Sequence, residues 1–266
     1  MPTADQPAAT RMTRISIRGN FAWDAQDAYL FDIDGTILRS RDRIHFNSFA
    51  SSVRQVTGLE ISLSGVVLHG GTDPAILSEA FVLSGVASDA WQPQFEAILD
   101  AMRHDVVSQR NEMDLWTMPG IEETLRHLGA RGALLGLATG NLEVIGWTKV
   151  EQVGLREWFR FGGFSDRFSI RSEMIAEAAD KARAMSGKGE QTTICIVGDT
   201  PRDIEAARAN QLSVIAVATG NYSFEELEAF APDVCASTLA DLLAHTALGD
   251  AAPLGGTVMA EKEVQP

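Results

Sequence analysis

Asp32 and Asp34 stand one residue apart, directly after the apolar run Ala28-Tyr29-Leu30-Phe31, and Gly35 and Thr36 follow them. An apolar and aromatic run of that length reads as a strand buried on both faces. The acids then fall where the chain leaves the sheet, at the carboxyl end where open α/β sheets keep their ligands. Two carboxylates left there without a task would repel each other and lose hydration. Either the segment is a turn, for which Asp and Gly are well suited, or the acids hold a cation and do chemistry. The chemistry open to such a pair is nucleophilic attack by one carboxylate and proton transfer by the other.

Two further apolar runs end in the same way. Ala133-Leu134-Leu135-Gly136-Leu137-Ala138 leads into Thr139-Gly140-Asn141, and Thr193-Ile194-Cys195-Ile196-Val197 leads into Gly198-Asp199-Thr200-Pro201-Arg202-Asp203. If the three strands are neighbours in one parallel sheet, Asp32, Asp34, Asp199 and Asp203 surround one space with Thr139 beside it. The segments Asp32-Ile33-Asp34-Gly35-Thr36, Leu137-Ala138-Thr139-Gly140-Asn141 and Gly198-Asp199-Thr200-Pro201-Arg202-Asp203 resemble, in order, the first, second and fourth motifs of the haloacid dehalogenase-like hydrolase superfamily. Most members of that superfamily are phosphatases. The third motif is normally a Lys shortly before the fourth, and no Lys stands in that place. Arg171 does, in Asp166-Arg167-Phe168-Ser169-Ile170-Arg171-Ser172-Glu173, with Arg167 as the competing candidate. The resemblance runs roughly from residue 28 to 240, with the segment between the first two motifs matched only loosely.

The resemblance implies an aspartyl-phosphate on Asp32, with Asp34 as general acid and base. It also implies one Mg²⁺ held by Asp32, the Asp34 carbonyl and Asp199, and a phosphoryl group neutralised by Arg171. All-oxygen ligands of that kind suit Mg²⁺, which leaves its remaining positions to water and phosphate. Asp203 has two readings: the last position of a helix start Thr200-Pro201-Arg202-Asp203, or a contact to the metal or to its ligands, as in the family. Thr139, with the N–H groups of Gly140 and Asn141 at a helix start, makes a phosphate cradle or a simple helix cap, a role open to Asn141 too. Gly35 lets the chain turn sharply beside the substrate. In Gly70-Gly71-Thr72-Asp73-Pro74, Thr72 or Asp73 caps the next helix, and Thr72 is a candidate substrate contact. Lys181 lies well inside a helix and reads as solvated, and His45, His69, His104, His127 and His245 show no ligand spacing.

The elements that must position these residues follow from the spacing. Asp32 and Thr139 are roughly a hundred residues apart, far more than one crossover helix requires. Residues 38–114 are therefore expected to form a helical cap, with amphipathic helices over Ile44 to Gly58, Pro74 to Ser84 and Trp91 to about Arg110. The core is expected from 21–37 and 115–246, with 1–20 a flexible arm and 247–266 a loose tail. Its strands alternate with helices after Pro119-Gly120, after Asn141 and over Ser172 to Met185. Further strands fall at 159–164 and 213–218, and a short edge strand at 233–236. The fold class is α/β: a Rossmann-like parallel sheet with helices on both faces and an α-helical cap inserted after the first strand.

Composition narrows the partners. The chain has 266 residues, with Lys plus Arg 22 against Asp plus Glu 36, a net charge of −14. That balance argues against nucleic acid or an anionic membrane as a partner. No run approaches the roughly 20 apolar residues of a membrane span, and Met1 to Thr10 lacks a signal-peptide pattern. Two cysteines, with Cys195 inside an apolar strand, suit a reducing cytoplasm. The expectation is a cytoplasmic, Mg²⁺-dependent phosphatase of the phosphoglycolate phosphatase type, monomeric or homodimeric, acting on a small phosphorylated metabolite. A phosphomutase, a 2-haloacid dehalogenase or a catalytically silent binding protein on the same fold are the alternatives. Asp34 argues against the dehalogenase, which has no use for a second acid.

Overall fold

A computed structural model describes residues 14–250. A seven-stranded sheet runs in the order β1-β9-β8-β7-β2-β5-β6. Its strands are β1 (Ile15–Ile17), β2 (Ala28–Phe31), β5 (Leu134–Ala138), β6 (Phe161–Gly163), β7 (Ile194–Gly198), β8 (Ser213–Val217) and β9 (Val234–Ala236). All neighbours are parallel except β1 and β9. The three chemistry-bearing runs occupy the centre: β2 lies between β5 and β7, with Phe31 opposite both Leu137 and Val197. Register therefore brings Asp32, Thr139 and Asp199 to one end of the sheet. Every residue of β2 is buried, as a strand covered on both faces requires.

One apolar cluster includes Phe31, Leu125, Leu137, Phe159 and Val197; the other includes Leu30, Ile175, Ala178, Ile196 and Ile204. Alternate residues of one strand feed opposite clusters, so helices cover both faces. These are α4 (Ile121–Ala130), α5 (Glu143–Gln152), α6 (Arg171–Ser186), α7 (Pro201–Ala209), α8 (Phe224–Glu228) and α9 (Leu239–Asp250).

The cap holds α1 (Ile44–Thr57), α2 (Asp73–Leu83) and α3 (Phe95–Ser108). Phe49, Val53, Leu77, Phe81, Leu99 and Met102 form its interior, and Leu142 and Ile145 of the core join the same cluster. The cap is thus seated on α5 by apolar packing. It leaves and re-enters the core through β3 (Leu38–Ser40) and β4 (Leu115–Thr117), a two-stranded antiparallel stalk in which Ser40 faces Leu115.

Several expectations need correction. Residues 15–17, placed in a flexible arm, form β1 on the outer side of β9, while 1–13 lie outside the described residues. Three residues are too few to display a period, and pairing with β9 decides the matter. The 233–236 strand is consequently internal, and the cap follows the second strand of the chain rather than the first. The helix expected from Trp91 begins at Phe95 after two short 3₁₀ turns, because Pro93 cannot continue a helix from its preceding turn. The 247–266 tail is in part helix, since α9 reaches Asp250; residues 251–266 lie outside the described residues.

Candidate active site

Asp32, Asp34, Thr139, Gly140, Asn141, Arg171 and Asp199 line one cavity of about 460 Å³ between the sheet end and the cap. Asp32 is fixed by its backbone N–H, which donates to Val197 O at 2.9 Å. Gly35 then turns the chain at φ 95°, and a Cβ there would collide with the Asp199 carboxylate. A side chain at this position would be both strained and obstructed. Thr36 Oγ1 donates to Asp199 Oδ1 at 3.1 Å, tying the first acidic segment to the last.

Oxygens of Asp32, Asp199 and Asp203 lie within 4.8 Å of one another, and all three side chains are buried. Arg171, the first residue of α6, faces this cluster. Its Nη2 is 3.1 Å from Asp32 Oδ1, and its Nε donates to Asp203 Oδ1 at 3.0 Å. Arg167 points elsewhere: it pairs with Glu177 at 2.7 Å and its side chain is 73% exposed. The helix-start reading of Asp203 holds. Its Oδ2 accepts from Thr200 N and Oγ1, completing the capping box of α7, while Oδ1 takes Arg171.

The electrostatics follow from burial. Desolvation, against the pull of Arg171 and with help from Asp203 and Asp34, raises the Asp32 carboxyl to about 6. Burial also raises Asp199, with Asp32 and Asp203 as like-charged neighbours. Burial works against the charge on Arg171, yet Asp203 and Asp32 hold its pKa above the usual value. Acids whose proton affinity is raised by each other are poised for a cation that satisfies them together.

Asp34 lies in a different field. Burial pushes its carboxyl up, but Lys149, His45 and Asn141 outweigh it, and the net shift is downward. Lys149, in α5, is buried, and its Nζ sits 2.8 and 2.7 Å from the two Asp34 oxygens. The same ammonium meets Asn141 Oδ1 at 2.8 Å and His45 Nδ1 at 3.0 Å. An ammonium only donates, so His45 Nδ1 accepts and Nε2 carries the proton. That Nε2–H donates to Asp73 Oδ2 at 3.1 Å, which also accepts from Leu142 N at 2.9 Å.

This arrangement corrects two readings. Asn141 does not cap α5, whose N-cap position is Leu142; its Nδ2 donates to Asp34 Oδ2 at 2.8 Å and to Thr139 Oγ1 at 2.7 Å. Thr72 caps α2, accepting from Ala75 N, and donates to Ser169 O at 2.9 Å. It is buried in the seam between cap and core and is not among the cavity-lining residues. Lys181 is exposed, as expected of a solvated side chain, and also reaches Gly162 O and Glu177.

Residues 29–217 match the family model described as haloacid dehalogenase-like hydrolase. The chain belongs to this family. A phosphoglycolate phosphatase of Mesorhizobium japonicum is 23% identical over 214 residues, covering 78% of this chain and 89% of that relative. Among solved structures, a predicted phosphatase from Clostridium acetobutylicum superposes with a TM-score of 0.61 at 21% identity, covering 84% of this chain and 99% of that one. A predicted phosphoglycolate phosphatase from Haemophilus somnus gives a TM-score of 0.59 at 20% identity, covering 83% and 98%. Among the described residues, no helix is long and apolar enough to cross a membrane.

In this haloacid dehalogenase-like hydrolase, Lys149 and His45 are the site residues that sequence reasoning missed. A signal for Lys149 was present. It follows Ile145 by four positions and Leu142 by seven, so it occupies the apolar face of α5, where a lysine needs a partner. Lys149→Met should leave Asp34, Asn141 and His45 without their shared donor. The expected loss is roughly 1–3 kcal/mol of stability, less than for a fully enclosed pair because Asp34 borders the cavity. Urea unfolding of the two proteins measures it.

Proposed function

We propose that this enzyme is a Mg²⁺-dependent phosphomonoester hydrolase working through an aspartyl-phosphate on Asp32. The observation that carries the reading is the cavity floor, where Asp32 faces Arg171 at 3.1 Å beside two further buried acids. An Asp32 oxygen attacks phosphorus, and the ester P–O bond breaks as the acyl-phosphate bond forms. Arg171 faces the oxygens that gain charge, and its fork also rests on Asp203. Thr139 Oγ1 accepts from Asn141, which leaves its own O–H to donate to a phosphoryl oxygen. The backbone N–H of Gly140 extends that cradle. Asp34 protonates the departing alcohol; a bound phosphate dianion beside it raises its proton affinity against the pull of Lys149. In the second half Asp34 takes a proton from the water that attacks the acyl-phosphate, and phosphate leaves.

The donor set fits a hard divalent cation: buried carboxylates of Asp32 and Asp199, with the Asp34 carbonyl two residues after Asp32. Asp203, whose oxygens are engaged by Arg171 and Thr200, would act by orienting those groups. Bound Mg²⁺ would screen the repulsion between Asp32 and a dianionic ester.

Chelation with EDTA should abolish turnover of p-nitrophenyl phosphate, and Mg²⁺ should restore it. Full activity in EDTA, with chloride release from 2-chloropropionate, would replace this reading with the dehalogenase. A proton and Mg²⁺ compete for Asp32, whose carboxyl titrates at about 6 without metal. Mg²⁺ affinity measured by titration calorimetry should therefore fall about tenfold or more per pH unit below 6, with Asp199, also raised by burial, competing in the same sense. The two cysteines are free and buried, consistent with a cytoplasmic setting. Phosphoglycolate, the ester to which the resemblance points, is the first metabolite to test.

A further inference from the structure

The cavity lining is of two chemical kinds. Besides the acids and their cations, the cap and stalk supply Phe46, Phe49, Leu68, Ile76, Leu115 and Trp116. Phe49 and Ile76 belong to the packed cap interior, whereas Phe46 and Trp116 stand outside the three apolar clusters. Each of these two rings carries a guanidinium over its face, Arg43 at 4.1 Å from the Phe46 ring and Arg41 at 4.8 Å from Trp116. Each also borders the cavity, where its uncovered apolar surface meets whatever enters.

The cations beside these rings are outside the lining: Arg43 and Arg41 lie over Phe46 and Trp116 without bordering the cavity. Asp42 and Asp73 line the cavity together with Asp34. Lys149 is committed to Asp34, and Arg171 to Asp32 and Asp203. Among the cationic side chains of the lining, Arg39 is the one with slack, held by one hydrogen bond to Asn221 at 3.4 Å. A carboxylate placed against the apolar wall would lose hydration without a matching partner. A phosphate with two carbons would also leave much of the 460 Å³ unfilled.

We propose, resting on the phosphatase reading, that the substrate is a phosphate ester of an alcohol bearing an aromatic or comparably flat apolar ring, bound against Phe46 and Trp116, rather than an ester of a short hydroxy acid. Ring burial on those two side chains supplies selectivity that the phosphoryl end, common to every ester, cannot give.

Benzyl phosphate and phosphoglycolate are both esters of primary alcohols, so their comparison isolates the leaving-group pocket. With Mg²⁺ present, kcat/KM should be greater for benzyl phosphate by about tenfold or more. Trp116→Ala and Phe46→Leu should each lower the benzyl-to-glycolate ratio by about fivefold or more, and the wild-type ratio stands as a test should either variant fail to fold. Equal or faster hydrolysis of phosphoglycolate, lost in Arg39→Gln, overturns the proposal. So does a ratio unmoved in both ring variants. Turnover of acetyl phosphate with neither ester accepted overturns the proposal alone, and no turnover of any of the three removes the phosphatase reading as well.

Discussion

Asp32→Asn is expected to lower phosphate-ester turnover by about 10⁴-fold or more, the scale seen when a covalent nucleophile is removed. The amide has the shape of the carboxylate but cannot attack phosphorus, so KM for the residual activity should change far less than kcat. The fold should survive, because the strand-end hydrogen bond is made by the backbone N–H of Asp32. A second readout has the opposite sign. Wild-type Asp32 titrates at about 6 because burial and neighbouring acids disfavour its charge. An acid whose folded pKa is raised contributes stability below its unfolded pKa and loses that contribution as pH rises through the folded value. In EDTA the wild type should therefore weaken between about pH 4 and 6 relative to Asp32→Asn. By pH 8 the variant should melt higher in differential scanning fluorimetry. Near wild-type turnover in Asp32→Asn would sink the aspartyl-phosphate mechanism.

Arg171→Ala should reduce kcat by about 100-fold or more, the contribution of one preorganised charge at a reacting oxyanion. It should also destabilise the metal-free protein by about 3–5 kcal/mol, since Asp32 and Asp203 would lose their buried counter-ion. Mg²⁺ should recover part of that stability and little of the kcat. Arg171→Lys keeps the charge but has one nitrogen where the guanidinium uses Nε and Nη2 to reach Asp203 and Asp32, so rescue should be partial. Arg167→Ala removes an exposed pair with Glu177 and should alter turnover by no more than about twofold. An Arg167 variant as damaged as the Arg171 variant would reverse their assignment.

Strand tips were the legible part of this chain. Runs such as Ala28 to Phe31 are apolar because both sheet faces are covered, and acids at their ends contradict that pattern locally, which is why Asp32 and Asp199 stand out. Arg171 could be placed only by its order along the chain, since its partner Asp203 is buried on the next helix, 32 positions away. Lys149 could not be paired at all. Its partner Asp34 is 115 positions away, and no local periodicity reports a contact of that range. Asn141 shows how a local rule loses to a tertiary one: its position suited a helix cap, yet Asp34 and Thr139 take its amide. Strand β1 was invisible because three residues acquire strand character only by pairing with β9, more than two hundred positions further on.

The stalk made by β3 and β4 has a bearing on how such a chain can diversify. The cap departs at Ser40 and returns at Leu115, two residues that face each other across one antiparallel rung. The core therefore perceives the whole insertion as a single closed loop whose ends are already together. The entropy of closing a loop grows only with the logarithm of its length, so doubling the insertion adds about 0.6 kcal/mol. Size is thus nearly unconstrained, and a cap can be lengthened, shortened or exchanged without shifting a strand of the sheet. The constraints that travel with any replacement are local: an apolar face to Leu142 and Ile145, and the polar contacts that His45, Asp73 and Thr72 make to the core. Most of the apolar cavity lining lies on the cap side of that rung and the buried acids on the core side, with Trp116 in the stalk and the His45–Lys149 contact joining the two.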